Sequence, residues 1–293
     1  MHALADGDAH PGHARGGPLS AEVRIARDDE LRATVRSLAD AGFGPHVGRL
    51  ITYPWEHPDA TVLVAPGRLR RIHGAACAAS FGETGWIGAL GVLPRSRRRG
   101  IGTALTAAAV QWLRGRGAST VLLYATDLGR PVYERLGFVA EGRTRAWRGV
   151  PTLYGSQRGL RSLRPGDRAA IAAIDRRATG ERRDAVLDAI VPLRGLATER
   201  DGRLTGFMLH SPWGAGPAVL ADDEESGLTL LSAARGATRA QPVITLPDAN
   251  VAGVEALRGW GFAPVNHAER MRLGPGPDWR PERVFGMFNL FWG

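Results

Sequence analysis

The order of strand and helix signals runs through this chain twice. In the first pass Val23-Arg24-Ile25 alternates as a short strand and residues 28–38 carry a helix. Residues 61–65 form a β-rich run stopped by Pro66-Gly67, and 72–81 and 86–92 are two strands about the turn Gly82-Glu83-Thr84-Gly85. A helix opens at Gly100, carries Ile101, Leu105, Ala108, Ala109 and Trp112 on one face, and closes at Gly115 and Gly117. A strand at 120–125, a short helix at 129–136 and a strand from Phe138 complete the unit. The second pass begins near 160, where Leu163-Arg164-Pro165-Gly166-Asp167 repeats the strand-to-helix passage Ile25-Ala26-Arg27-Asp28-Asp29. Segments 204–209, 218–220, 225–234, 243–246 and a helix ending at Trp260 follow in the same order. Gly137-Phe138 and Gly261-Phe262 close equivalent short helices 124 residues apart. The repetition predicts two copies of one mixed α/β unit joined around 150–160, in agreement with a length of 293 residues at about 150 per domain.

Composition narrows the chemistry such units can perform. All 38 basic residues are arginine. Without a lysine amine there is no Schiff base or pyridoxal-phosphate attachment, and no Gly-Lys-Ser/Thr phosphate loop. The single cysteine, Cys77, excludes disulfide frameworks, iron–sulfur clusters and cysteine zinc sites. It lies in an apolar strand and is expected in the core. His46 and His73 are too scattered for a metal site, so no metal is expected. No apolar run approaches the roughly 18 residues that span a bilayer, and the start has no leader pattern; the expectation is a cytoplasmic protein with no membrane partner. Residues 1–19, with His2, His10 and His13, are too rich in Gly, Pro and Ala to bury a face and are expected to be a disordered tail. The formal charge of +9 alone would admit nucleic acid, but there is no zinc-finger or RNP pattern to support it.

The informative stretch is Gly91-Val92-Leu93-Pro94-Arg95-Ser96-Arg97-Arg98-Arg99-Gly100-Ile101-Gly102-Thr103. A strand ends, an arginine-rich loop follows and a helix starts. The helix N-terminus leaves N–H groups unpartnered and, with the dipole, makes an anion site. Gly100 and Gly102 let a large anion approach the main chain, and Arg95, Arg97, Arg98 and Arg99 add donors suited to phosphate. The combination points to a pyrophosphate.

These residues resemble a known family. Arg97-Arg98-Arg99-Gly100-Ile101-Gly102 is similar to the Gln/Arg-x-x-Gly-x-Gly/Ala motif of the GNAT superfamily of acyl-CoA-dependent acetyltransferases. Leu90-Gly91-Val92-x-Pro94 resembles its preceding strand and turn, and Tyr133-Glu134-Arg135-Leu136-Gly137-Phe138 its later signature. The whole chain resembles tandem members with a diverged second copy. The resemblance implies an α+β fold of mixed, largely antiparallel sheet flanked by helices, with a catalytic domain at 20–155 and a diverged, non-catalytic one at 156–293. It implies acetyl-CoA as cosubstrate. Main-chain groups of Arg98, Arg99, Gly100, Ile101, Gly102 and Thr103 would hold its pyrophosphate, with Arg97 shaping the loop. Leu90, Gly91 and Val92 would lie along its pantetheine arm, and a splay of that strand from 120–125 would expose the thioester. A backbone N–H near Val92 would polarise the carbonyl. Tyr133 stands where the family has a tyrosine that protonates the departing thiolate. Thr126 replaces the family's usual asparagine seven residues earlier, and Gly129 its usual alanine.

The second copy departs from the pattern. Its corresponding stretch carries Asp222-Asp223-Glu224-Glu225, which would repel phosphate, and Leu257 stands at the tyrosine position, although Asn250 keeps the asparagine place. For the general base the candidates are Glu83, just before the 86–92 strand, and Glu56 or His57, with Trp55 as a wall of the acceptor pocket; deprotonation through water is the further option. The expected activity is acetyl transfer to a primary amine of a small molecule by a monomer or homodimer. The alternatives are an acyl-CoA-binding regulator without turnover, or transfer of another acyl group. Phe288, Phe291 and Trp292 are expected to pack onto the second sheet.

Overall fold

The computed structural model describes residues 21–150, 159–214, 216–236 and 241–292. The expected tail at 1–19 and most of the expected joint, residues 151–158, lie outside them. The first half runs β1 (Arg24–Ile25), α1 (Leu31–Leu38), α2 (Val47–Leu50), α3 (Thr52–Glu56), β2 (Ala60–Pro66), β3 (Ile72–Phe81), β4 (Thr84–Val92), α4 (Ile101–Arg114), β5 (Thr120–Ala125), α5 (Arg130–Arg135) and β6 (Val139–Arg148). The second runs β7 (Leu160–Ser162), α6 (Arg168–Thr179), α7 (Asp184–Asp188), β8 (Gly195–Arg200), β9 (Arg203–Leu209), β10 (Ala218–Ala221), α8 (Glu224–Ala234), β11 (Val243–Pro247), α9 (Val251–Gly259), β12 (Ala263–Leu273) and β13 (Val284–Gly286). The α+β class and the repeated element order are as the sequence implied.

The sheets do not respect the halves. One sheet of eight strands is ordered β1-β2-β3-β4-β5-β12-β6-β11, and the other, of five, β13-β10-β9-β8-β7. Strand β12 of the second half lies between β5 and β6 of the first, with Arg270 opposite Tyr124 on one side and His267 opposite Arg145 on the other. β11 then adds outside β6, with Ile244 opposite Trp147. The halves therefore share backbone hydrogen bonds, not only side-chain contacts. Among the described residues every pairing is antiparallel except β4 with β5.

Side-chain alternation distributes the core to both faces of the large sheet. On one face Ile101, Leu105, Ala109 and Leu113 of α4, spaced by one helical turn, pack with Ile87, Val121, Leu123 and Ala125. On the other, Trp86 and Leu122 join α1 and the second half in one cluster through Phe207, Phe288 and Trp292. Cys77 is fully buried there, and burial pushes its thiol above the usual range. The terminal aromatics correct one expectation. They reach the first half, and do not simply cap the second sheet. Phe291 is edge-on to Phe43 at 5.7 Å and lies against Gly88, where a Cβ would come within 2.6 Å of it; Trp292 packs on Tyr53 at 5.5 Å. A bare stretch of β4 accepts a ring from 203 residues downstream, a fit that no local pattern encodes.

Asn250 ties the closing segments together. Its Oδ1 accepts the Gly253 N–H at the start of α9, and its Nδ2 donates to the carbonyls of Val284 (2.9 Å) and Glu282 (3.2 Å). Asn250→Ala removes a helix cap worth about 1 kcal/mol and leaves buried carbonyls without a donor, at about 1–3 kcal/mol. Thermal unfolding should therefore occur several degrees lower; an unchanged midpoint would refute the tie.

Candidate active site

The loop between β4 and α4 is held rigidly from behind. Leu93 N–H donates to the His73 carbonyl (2.9 Å), Ser96 Oγ lies 2.9 Å from His73 Nδ1, and the side chain of Ser96 is buried. Arg97 turns back: its Nε donates to the Val92 carbonyl (3.1 Å) and its Nη2 to the Ala41 carbonyl (3.0 Å). It ties the loop to the segment after α1 and is not aimed outward. Arg98 takes φ +61 and Gly100 φ +76, two left-handed residues that bend the chain into the helix. The first α4 amide to find a helical acceptor is that of Ala104, on the Gly100 carbonyl (2.9 Å). No side chain caps the helix, so the N–H groups of residues 101–103 point out of its end. A Cβ built on Gly100 meets nothing within 4 Å, and Arg95, Arg98 and Arg99 are exposed around this opening. The donors, the dipole and the unobstructed glycine fit a phosphorylated ligand.

Beyond the loop the two central strands part. β4 and β5 pair in parallel only from Thr84–Thr120 to Ile87–Leu123. Past that rung β4 stays with β3 and β5 with β12. A register shift opposite Ala75 and Cys77, with Ala89 at φ +46, bulges β4 at the point of parting. A bulge leaves its extra residue outside the ladder, so main-chain groups around Ala89 and Leu90 are released from pairing with β3 beside the gap. Gly91 is closed in from the other face by Ala41, Phe43 and Leu38.

Tyr133, on α5, packs on the same face of the sheet as α4. Its ring is edge-on to Phe138 at 5.9 Å and buried, and burial pushes its phenol up to about 12. Gly129 permits this packing, since a Cβ there would lie 3.1 Å from the tyrosine ring. Thr126 Oγ1 accepts the Gly129 N–H at 3.3 Å and so helps to set the start of α5.

The acceptor-side candidates are dispersed. Glu83 is exposed in the β3–β4 turn, where its carbonyl accepts the N–H groups of Ser119 and Thr120. Seven residues of strand, about 23 Å at ~3.3 Å per residue, separate it from Leu90. Trp55 and Glu56 end α3, before β2, and β3 stands between β2 and β4. Glu56 is exposed; His57 stacks on Tyr53 at 4.7 Å, and its Nδ1 accepts the Asp59 N–H.

In the second half the equivalent helix end is occupied. Asp223 Oδ1 accepts the Ser226 N–H at 2.9 Å and caps α8, with Glu224 and Glu225 in its first turn. Asp222 pairs with Arg177 and Arg283. Leu257 is fully buried, and Asn250 is consumed by the ties described above. The acidic run that the sequence reads as hostile to phosphate serves as the helix's own cap.

One constellation was not legible. Between the halves lies a cavity of about 20 Å³, lined among others by Trp86, Tyr124, Glu181, Arg183, Arg270 and Met287. Glu181, in the turn after α6, is 2 % exposed and accepts the Trp86 Nε1–H at 2.8 Å. Burial pushes its carboxyl up to about 7, against the lowering influence of Arg183 and of the Trp86 bond. Arg183 itself is bidentate to Asp175 and donates to the Trp292 carbonyl, and Arg270 pairs with Glu141. A lone glutamate beside two arginines carries no motif.

Residues 28–138 match the model of the acetyltransferase (GNAT) family, and 171–286 a second acetyltransferase (GNAT) domain model. A mycothiol acetyltransferase of Nocardioides sp. is 35% identical over 102 residues, covering 29% of this chain. The chain spans about a third (35%) of the length of that curated relative. Among solved structures, a candidate acetyltransferase from Pyrococcus horikoshii superposes with a TM-score of 0.77 at 23% identity, covering 97% of this chain and 100% of its own. A GCN5-related N-acetyltransferase from Sphaerobacter thermophilus gives 0.61 at 18% identity over 88% and 97%. A tandem GNAT protein from the clavulanic acid biosynthesis pathway gives 0.53 at 16% identity over 87% and 99%. These likenesses at low identity concern the fold.

Proposed function

The chain belongs to the GNAT acetyltransferase superfamily, with two GNAT domains in tandem, and from that premise we propose that its first half, residues 20–155, transfers an acetyl group from acetyl-CoA to a primary amine of a small molecule. The observation that carries the reading is the uncapped N-terminus of α4 opening beside the parted strands β4 and β5. The phosphates rest on the N–H groups of residues 98–103 among Arg98 and Arg99, while Arg97 holds the loop's shape. The pantetheine arm runs along Leu90–Val92, and a bulge amide polarises the thioester carbonyl. The amine attacks that carbon, the C–S bond breaks, and Tyr133 gives its proton to the departing thiolate. A phenol raised by burial stays protonated throughout the neutral range, as an acid must before it acts. The second half, 156–293, has its helix end closed by Asp223 and supplies walls in place of a second active centre. The name of the Nocardioides relative favours a small-molecule acceptor.

Charge at the loop gives a direct test. Hydrogen bonds to charged groups are worth about 1.5–3 kcal/mol each, so the Arg98→Glu, Arg99→Glu double variant should bind acetyl-CoA at least ~10-fold more weakly by calorimetry. Arg114→Glu, at the other end of α4 about 20 Å away, should bind normally. Equal affinity in both variants would remove the loop as the phosphate site. The readout for the acceptor is thiol release with a panel of amines.

A further inference from the structure

We propose that Glu181, contributed by the second half, is the final acceptor of the proton that the attacking amine must lose, reached from the gap between β4 and β5 through Tyr124 and the cavity between them. The inference rests on the acyl-transfer reading above and names the base that reading leaves unassigned.

The geometry points one way. Trp86 sits on the second-to-last paired rung of β4 with β5, and Tyr124 on β5 is the first residue past the last rung. Both face away from α4, on the side opposite Tyr133. Their rings stack at 5.2 Å with 25° between planes. Tyr124 and Glu181 line one cavity, of a volume that takes one water molecule and with polar walls to hold it. The Tyr124 hydroxyl lies 3.7 Å from Met287 Sδ, itself on that wall. The cavity thus places Tyr124, beside the parted strands, and the Glu181 carboxylate on one shared wall. Acid and base would stand on opposite faces of the sheet, with the thioester between them.

The charged groups around Glu181 leave it free for this role. Arg183 and Asp175 neutralise each other at 2.6 Å, and Arg270 of β12 is engaged by Glu141 of β6. Trp86 of β4 donates to the Glu181 carboxylate, and burial keeps Tyr124 of β5 protonated. The carboxyl therefore ionises around pH 7 without being locked in an ion pair, the condition for a base working there.

The balance is complete. The amine nitrogen bonds to the carbonyl carbon, its proton passes through Tyr124 and the cavity water to Glu181, the C–S bond breaks, and Tyr133 protonates sulfur. Glu181 then releases its proton and Tyr133 recovers one, so the net transfer is from nitrogen to sulfur.

The test is the pH dependence of steady-state acyl transfer by the full chain. Wild type should gain activity as pH rises, with a midpoint of about 7. Glu181→Gln keeps the acceptor for Trp86 and should fold normally, bind acetyl-CoA with unchanged affinity, lose about 10²-fold in kcat and lose that limb. Trp86→Phe retains the base but removes a bond that favours its ionised form, so its limb should move to higher pH; a merely structural glutamate would not move it. A Glu181→Gln enzyme with wild-type kcat and an intact limb overturns the role of Glu181 while leaving acyl transfer standing. A wild-type protein that binds acetyl-CoA but releases no thiol with any amine overturns the reading and this role together.

Discussion

Tyr133→Phe is expected to bind acetyl-CoA as wild type does and to turn over about 10²–10⁴-fold more slowly. The substitution deletes one oxygen and leaves the ring, so the edge-on contact with Phe138 and the packing against Gly129 persist. In the proposed site the phosphate donors belong to the loop and to α4, not to α5, so affinity measured by calorimetry should not follow turnover. Burial holds the phenol protonated up to about pH 12, and Tyr133 should therefore contribute no limb to the pH profile below that. Its loss should lower the whole profile without changing its shape, in contrast to loss of Glu181. Full turnover in Tyr133→Phe would exclude this hydroxyl as the acid.

Arg183→Met should cost about 3–5 kcal/mol of stability, the largest structural effect expected of a single substitution here. Arg183 and Asp175 are 3 % and 1 % exposed and meet through two hydrogen bonds, of 2.6 and 3.1 Å. Removing the guanidinium leaves the Asp175 carboxylate buried without its partner and withdraws the donor from the Trp292 carbonyl, loosening the terminal segment that lies on Gly88 of β4. The double variant Arg183→Met, Asp175→Leu should recover much of the loss, because the Asp175 carboxylate is no longer left buried without its partner. Chemical denaturation of both variants measures this; a single variant as stable as wild type would show that the pair is not structurally important.

The two substitutions divide what could and could not be read from the residues. The β4–loop–α4 passage was legible because its physics is local: a strand, a bend needing left-handed residues at 98 and 100, and a helix end lie within a dozen positions. Tyr133 was legible by its fixed place before Gly137-Phe138. The acidic stretch 222–225 reads as hostile to phosphate; that Asp223 also caps α8 is visible only in the structure. Glu83 was reasonable as a residue type beside β4, but strand geometry sets it about 23 Å from Leu90; Glu56 and His57 stand at and just after the end of α3, ahead of β2. Glu181 had no signal, since its partner Trp86 is 95 positions away.

By itself, then, the sequence determined the repeated α+β units, the superfamily and the strand–loop–helix passage proposed to hold phosphate, because backbone conformation, helix termini and side-chain periodicity are governed by neighbours a few residues apart. The tertiary structure alone decided that β12 fills the place beside β5, that the terminal rings roof β4, and that a carboxylate from the second half meets the parted strands of the first. Those are choices among many compact pairings of similar local quality. They are settled by burial and hydrogen bonding summed over both halves at once.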